Sequence, residues 1–438
     1  MKIVNKINLI IPKGEHSSAS ILWHAPLGIL SLATYIKKHN PDIKVGVFNE
    51  EVSSLSSDIF DADIIGINTQ ISNYKRCLEL ARKAKENDCL VVFGGAFATC
   101  MAEKILKNRD FVDLVIIGDG EKALNDIVNR KPFSQINNLA YRKEDKIVIN
   151  EEVPIDLNAI PFPSRSYIGL DVYFKNYRKF YPKSKFRRAT TLYSQKGCIW
   201  HEKTGGCIFC GRIGKYRVIR PEKFWKEMEY LEKTYNVDYV FDQADSFCQN
   251  RDWLKELVKS KPKNIKARLR VWVRSDNIDN ETGKLLSDLG VHDAFIGIES
   301  GDPESLSAFQ KGITVEQNIK ATKILNKFGI KLYAQFVLGA PGESEKSLMN
   351  SVEHAKELIK IGNIETLACT IMLPLPGSKS WEMIRQKTNI LESDLFDYKE
   401  LQRIWIKEFT SVDIKTIKET IKGIEELSTP MHYIREEL

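Results

Sequence analysis

Three of the eight cysteines of this 438-residue chain, Cys198, Cys207 and Cys210, fall within thirteen residues of one another, inside the stretch Thr191 to Arg212 (TLYSQKGCIWHEKTGGCIFCGR). Thiolates this close together, with Gly197, Gly205, Gly206 and Gly211 letting the backbone turn about them, point to a metal or iron–sulfur site. Two chemistries fit the spacing. Three thiolates on a cubane leave one iron open to a small molecule, whereas tetrahedral zinc needs a fourth ligand, for which His201 is the candidate. The cysteines are too few and too unevenly spaced for a disulfide framework, and Cys77, Cys89 and Cys100 read as core or surface thiols.

The cysteines follow an apolar run with β character, and the pattern beyond them alternates strand-like and helical segments. The strand-like runs are Thr190 to Ser194, Tyr239 to Asp242, Ala267 to Val273, Ala294 to Ile298, Leu332 to Leu338 and Leu367 to Leu373. Helical patterns such as Pro221 to Tyr235, Asp252 to Lys259, Glu281 to Leu289, Val315 to Phe328 and Ser344 to Ile361 lie between them. Six βα units make a partial (β/α)6 barrel of the TIM type, which puts its working residues at the carboxyl ends of the strands. Those ends read Cys198, then Asp242 and Asp245, Arg274 and Asp276, Glu299 and Ser300, GAPGE (Gly339 to Glu343), and LPLPG (Leu373 to Gly377). Polar residues and glycines recur at one rim, as a site assembled from several strands requires. Cys248 and Cys369, near two of these ends, read as core thiols. The segment from Trp381 to Leu438 is helical by pattern, carries Phe396, Tyr398, Trp405 and Phe409, and is expected to close the barrel's open side or its cavity.

Upstream, residues 1–152 show Val- and Ile-rich strands alternating with helices, the pattern of a doubly wound, Rossmann-like parallel sheet. The strands are Lys6 to Ile11, Ile43 to Phe48, Asp63 to Asn68, Leu90 to Gly95 and Asp113 to Gly118; the helices run through Leu27 to His39, Tyr74 to Glu86, Met101 to Leu106 and Glu121 to Val128. Ligands of such sheets sit beyond the strands' carboxyl ends, where Gly94, Gly95, Gly118 and Gly120 fall. A G-x-G without a third glycine argues against a nicotinamide fingerprint. A hairpin pattern at Asn138 to Glu152 precedes the stiffening prolines Pro161 and Pro163, so residues 153–185 read as a linker, 186–380 as the barrel and 381–438 as the helical C-terminal segment.

With 43% hydrophobic and 28% charged residues the composition is that of an ordinary globular protein. No apolar run approaches the roughly 20 residues needed to span a bilayer, and the N-terminus does not read as a signal peptide, so a cytoplasmic location is expected. The net charge of +7 arises from 65 basic and 58 acidic residues spread along the chain, with a local basic excess at Lys175 to Arg188 that reads as a solvated linker. Nucleic-acid binding is not indicated.

On these residues the sequence resembles the radical S-adenosylmethionine (SAM) superfamily, in the branch with an N-terminal cobalamin-binding domain. The resemblance rests on Pro26-Leu27-Gly28, VVFGGAFAT (Val91 to Thr99), IIGDGEKAL (Ile116 to Leu124), GCIW…GCIFC, DQADSF (Asp242 to Phe247), GIESGDPESL (Gly297 to Leu306), KGIT (Lys311 to Thr314) and FVLGAPGES (Phe336 to Ser344), in that order. It implies that Cys198, Cys207 and Cys210 ligate a 4Fe-4S cluster whose open iron binds SAM, which is cleaved to a 5′-deoxyadenosyl radical. It further implies Phe209, Gly339, Pro341 and Gly342 near the adenine, Glu299 and Arg274 near the ribose and carboxylate, and Asp245 near the amino group or substrate. Thr69, Gly94, Gly95, Gly118 and Gly120 are the candidate cobalamin-binding positions. The downstream motifs favour the cluster over zinc.

Two departures stand out. The usual gap of three residues between the first and second cysteine is here eight, Ile199 to Gly206, a loop enlargement that brings His201, Glu202 and Lys203 near the cluster and reads as solvent-facing. The D-x-H-x-x-G signature that supplies a histidine to cobalt is absent. The resemblance implies a cobalamin-dependent methyltransferase acting on an unactivated carbon or phosphorus centre of a small-molecule or peptide substrate, supplied with electrons by a flavodoxin or ferredoxin. A non-methylating radical enzyme that forms rings, oxidises or inserts sulfur, and a cluster-bearing sensor without catalysis, are the alternatives.

Overall fold

The computed structural model describes residues 3–15, 21–211, 214–388, 390 and 398–428. The chain divides into two compact units, the first ending at Pro182 and the second starting at Lys183.

In the first unit the elements follow the order β1 (Lys6–Ile11), α1 (Leu27–His39), β2 (Lys44–Asn49), β3 (Ile64–Asn68), α2 (Tyr74–Glu86), β4 (Leu90–Gly94), α3 (Ala96–Asn108), β5 (Leu114–Ile116), α4 (Glu121–Val128), β6 (Leu139–Lys143), β7 (Lys146–Ile149) and α5 (Leu170–Phe180). The seven strands form one sheet in the order β2-β1-β3-β4-β5-β6-β7, parallel through β5 and continued by the antiparallel hairpin β6–β7. The strand order reverses between β1 and β3, which makes that crevice the topological switch point of a doubly wound sheet. Ile7, Leu9, Ile64, Val92, Leu114 and Ile116 form a core with Ala33 and Ile36 of α1 and Leu124 and Ile127 of α4. The buried Glu121 of α4 accepts a 2.6 Å hydrogen bond from Ser31 of α1.

Two segments depart from the sequence expectation. α3 begins at Ala96 rather than Met101, because the backbone kinks at Met101 (φ −117°, ψ 15°) and the turns on either side belong to one helix. The stretch expected to be a linker contains α5, whose Leu170, Tyr173, Phe174, Tyr177 and Phe180 are all buried. Their spacing is helical, Tyr173 accepts a 3.0 Å hydrogen bond from Asn49, and Tyr177 packs edge-on against Trp23. Of the basic residues that suggested a solvated linker, Lys175, Arg178 and Lys179 lie on the outer face of this helix, and Lys183 to Arg188 follow it.

The second unit runs β8 (Ala189–Leu192), β9 (Gln195–Lys196), α6 (Ile199–Thr204), β10 (Arg217–Val218), α7 (Pro221–Tyr235), β11 (Tyr239–Asp242), α8 (Arg251–Lys259), β12 (Arg268–Val273), α9 (Asn280–Leu289), β13 (Val291–Glu299), α10 (Pro303–Ala308), α11 (Val315–Lys327), β14 (Lys331–Leu338), α12 (Glu345–Ile361), β15 (Ile364–Ile371), α13 (Lys379–Lys387), α14 (Tyr398–Phe409) and α15 (Ile414–Glu425). Strands β8, β11, β12, β13, β14 and β15 pair in sequence order, all parallel, and the two end strands do not pair with each other. This is the open six-unit barrel expected. Its interior holds Phe241, Trp272 and Phe295, whose ring centroids lie 4.5–5.8 Å apart. Below them the buried Arg270 lies 4.3 Å from the centre of the Tyr333 ring and pairs with Asp293.

The C-terminal helices have separate tasks. On the free edge of β15, the backbone N–H of Leu367 donates to Ser428 (2.7 Å) and that of Cys369 to Glu425 of α15 (3.2 Å), so edge donors are satisfied by side chains rather than by a seventh strand. α14 docks instead on the loop after β14, where Trp405 Nε1 donates to the Gly339 carbonyl (2.8 Å) and Gly342 N–H to that of Phe409 (2.7 Å). Phe396 lies outside the described residues.

Candidate functional site

The cysteine loop begins where the barrel's first strand ends and is fastened on both sides of Cys198. Gly197 N–H donates to Asp245 Oδ2 (2.9 Å), and the Gln249 carboxamide accepts from Ile199 N–H (2.9 Å) while donating to the Gly197 carbonyl (3.0 Å). Gly197 has φ +84°, and a Cβ there would lie 2.5 Å from the Lys215 carbonyl oxygen, so only glycine admits the approach of the returning chain. The eight-residue gap is folded: Ile199 to Thr204 form α6, closed by Gly205 in the left-handed region. Gly206 sits under the His201 ring, and Lys379 holds the turn through the Gly206 carbonyl (3.0 Å) and Gln310 (2.8 Å). Ile208 N–H then bonds the Phe309 carbonyl (3.0 Å), which seats Cys207 and Cys210 against the loop after α10.

Of the three thiols Cys207 is buried, while Cys198 and Cys210 are partly exposed; none forms a disulfide. Burial pushes the Cys207 thiol up to about 11, against the opposing pull of the Lys311 and Arg274 cations. Arg274 also feels Cys198, so one guanidinium faces two of the three sulfurs. It is fixed by two hydrogen bonds to Asp276 (3.0 and 3.1 Å) and one to the Lys311 carbonyl (2.7 Å). Lys311 is itself buried, donates to the Gly297 carbonyl (2.7 Å) and pairs with Glu299. Glu299 ends β13 at φ +61°, just beyond a register shift between Gly297 and Glu299, a strained backbone that the ion pair helps to hold.

The structure therefore brings Cys198, Cys207, Cys210, Asp245, Arg274 and Glu299 to one rim. Phe209 packs edge-on against Phe309 (5.3 Å between centroids). Gly339 and Gly342 form the turn after β14 with φ +106° and +81°, and a Cβ on Gly339 would lie 2.6 Å from Ile406. Pro341 is half-buried between them. Glu343, which closes the GAPGE run named at this strand end, is buried and accepts from Gly339 N–H, a role the sequence reading did not assign. That reading also gave no role to Lys311, Gln249 or Trp200. Lys311 opens the KGIT run and was within reach of a motif argument; the other two carry no periodic signal.

Among the described residues, no three His, Cys, Asp or Glu side chains gather closely enough to hold a single metal ion. A cubane presents separate irons to separate thiolates, and three reduced thiols on a pinned loop facing two cations suit that distributed, anionic group.

In the first unit, Thr69 is fully buried, and its hydroxyl donates to the Gly94 carbonyl and accepts from Ala98 N–H, both at 2.9 Å. It fastens the β3 and β4 loops to each other. Position 95 (φ +98°) admits only glycine, because a Cβ would meet the Thr69 backbone at 2.8 Å. A Cβ on Gly94, by contrast, would meet nothing within 4 Å, so open space adjoins the backbone at the carboxyl end of β4. Gly118 N–H donates to Thr99 Oγ1 (3.1 Å), and Gly120 precedes the first turn of α4. Of the four glycines at this edge only Gly94 borders open space, since a Cβ on Gly118 would meet Glu152 at 2.5 Å and one on Gly120 would meet Leu32 at 3.1 Å.

The B12 binding domain model matches residues 22–128 and the Radical SAM superfamily model residues 194–355. The chain thus carries a B12-binding domain followed by a radical SAM domain. An uncharacterized methyltransferase of Pyrococcus horikoshii is 25% identical, over 95% of this chain and 91% of its own length. The anaerobic magnesium-protoporphyrin IX monomethyl ester cyclase of Rubrivivax gelatinosus is 22% identical, over 82% of this chain and 64% of its own. Among solved structures, the cobalamin-dependent SAM radical enzyme OxsB with aqua-cobalamin and SAM bound superposes with a TM-score of 0.73 at 17% identity, over 95% of this chain and 66% of that one. The radical SAM methyltransferase TsrM of Kitasatospora setae, with cobalamin and a [4Fe-4S] cluster bound, gives 0.71 at 16% identity, over 87% and 75%. These superpositions speak for the fold: a B12-binding domain followed by a radical SAM barrel.

Proposed function

We propose that the protein is a cobalamin-dependent radical SAM methyltransferase acting on an unactivated carbon or phosphorus centre. The observation that carries this reading is the presence of both domains on one chain, supported by the methyltransferases among its relatives. When bound, a 4Fe-4S cluster supplies the electron that cleaves SAM, and cobalamin supplies a methyl carrier. Cys198, Cys207 and Cys210 are assigned as the cluster's ligands, with Arg274 and Lys311 offsetting its negative charge. Asp245 holds the loop that carries Cys198; Glu299, Phe209, Gly339, Pro341 and Gly342 are assigned to SAM. Gly94, Gly95, Gly118 and Gly120 are assigned to cobalamin, with Thr69 holding the edge in shape. No histidine stands where the D-x-H-x-x-G signature would place one, so cobalamin is bound without that ligand. A flavodoxin or ferredoxin serves as electron donor. No helix among the described residues is long and apolar enough to cross a membrane; a cytoplasmic site of action is part of this proposal.

The cyclase relative favours a second reading, a radical enzyme of the same build that forms a ring. Products separate the two. Anaerobically reconstituted protein with reductant and SAM should release 5′-deoxyadenosine, and with substrate and cobalamin also S-adenosylhomocysteine. Absence of the first product refutes radical chemistry; the first without the second, across candidate substrates, favours the non-methylating enzyme. Cys207→Ala and Cys210→Ala should each lose the iron–sulfur absorbance, and full cluster content in either overturns the ligand assignment.

A further inference from the structure

The enlarged gap between the first two cysteines places an indole on the cation that faces them. Trp200, in the first turn of α6, lies with its ring 5.2 Å from the Arg274 guanidinium carbon. Its Nε1 donates to the Gln310 carbonyl (3.0 Å), and its six-membered ring fills the space left by Gly312, where a Cβ would lie 2.2 Å from the indole. The ring is thus held from below by the loop after α10 and cannot shift toward it. Arg274 has no freedom on its other side, being tied to Asp276 and the Lys311 carbonyl. The guanidinium is clamped between these acceptors and an aromatic face, while its charge reaches Cys198 and Cys207.

We infer that Trp200 is a positioning residue, which acts through Arg274 to set the electrostatic environment of the cysteine site. The inference rests on the cluster reading of that site. An aromatic face attracts a cation and excludes water from it, so the charge acts at lower effective dielectric on whatever anionic group the thiolates hold. A nearby cation stabilises the more negative, reduced state and raises a cluster's potential. The enlarged eight-residue gap is therefore a structural element that supplies this ring, and its exposed Glu202 and Lys203 are incidental to it.

The test is a double-mutant cycle on the full-length chain with Trp200→Leu and Arg274→Met, with Trp200→Phe as the conservative variant. The first readout is the midpoint potential of the reconstituted cluster, followed by electron paramagnetic resonance. Trp200→Leu should shift it to more negative values, Trp200→Phe should keep it near wild type, and the Leu shift should vanish in the Arg274→Met background. No shift, a positive shift, or an equal shift in both backgrounds overturns the inference, the last because the indole then acts by shielding alone. The second readout is the melting temperature of the apoprotein, where the two substitutions should be non-additive. If the wild-type chain assembles no cluster, the functional reading falls on its own, and the apoprotein cycle decides this inference: strictly additive melting shifts refute it.

Discussion

Glu343 provides a measurement that depends on one buried proton. Its carboxyl group is 1% exposed in the turn after β14, and burial pushes it from 4.5 up to about 7, reinforced by Asp302 and opposed by the backbone N–H groups of Gly339 and Ala340. The folded chain therefore binds this proton more tightly than the unfolded chain. Stability from this group is fully present below pH 4.5 and is lost as pH rises toward 7. With a change of about 1.4 kcal/mol per pKa unit, the loss reaches about 3 kcal/mol. Glu343→Gln keeps the acceptor for Gly339 N–H but cannot ionise, so its stability advantage over wild type should grow by about 3 kcal/mol from pH 4.5 to pH 8. Asp242, also raised to about 7 by burial, and His354, lowered to about 4 by burial, titrate in both proteins and cancel from the difference. Urea unfolding followed by tryptophan fluorescence reads the relevant unit, since Trp200, Trp225, Trp253, Trp272, Trp381 and Trp405 lie there and only Trp23 lies in the first. Parallel pH profiles for the two proteins would refute the reasoning.

Two further outcomes follow from close packing. Arg270→Met strands the Asp293 carboxylate inside the barrel and should cost about 3–5 kcal/mol, while Arg270→Met with Asp293→Asn should recover much of it, as urea midpoints will show. Gly339→Ala meets both a φ of +106° and the Ile406 side chain at 2.6 Å, and should destabilise the second unit by about 1–3 kcal/mol in the same assay.

Sequence periodicity located the six barrel strands because each is a short, buried, parallel strand bounded by turn residues, a local signature. The same reasoning passed over β9 and β10, two residues each, whose existence depends on a return of the chain after the cysteines rather than on any run of strand-forming residues. It read α5 as a linker because the charge of Lys175 to Arg188 was weighed ahead of the apolar spacing Leu170, Tyr173, Phe174, Tyr177 and Phe180. It placed α3 too late because a kink at Met101 hides the first turns. Only the first of these misses turns on a contact distant in sequence; the other two had local signals that charge or a kink obscured.

The site follows the same division. Cys198, Asp245, Arg274 and Glu299 were legible because barrel geometry sends strand ends to one rim, whatever the details of the loops. Trp200, Gln249, Lys311 and Lys379 were not, because they come from separate loops and touch the cysteine stretch only after folding. The enlarged gap shows how far local signals can be taken. The sequence reading took the gap as a solvent-facing loop, whereas the structure forms a short helix there, closed by Gly205 in the left-handed region. A six-residue helix has one inward face. Glu202 and Lys203 are exposed, Ile199, Trp200 and His201 are half-buried, and the indole of Trp200 occupies space that Gly312 leaves free of a Cβ. An insertion that only lengthened the loop would need neither the helix stop nor the matching glycine; their joint presence is what a built contact with Arg274 requires.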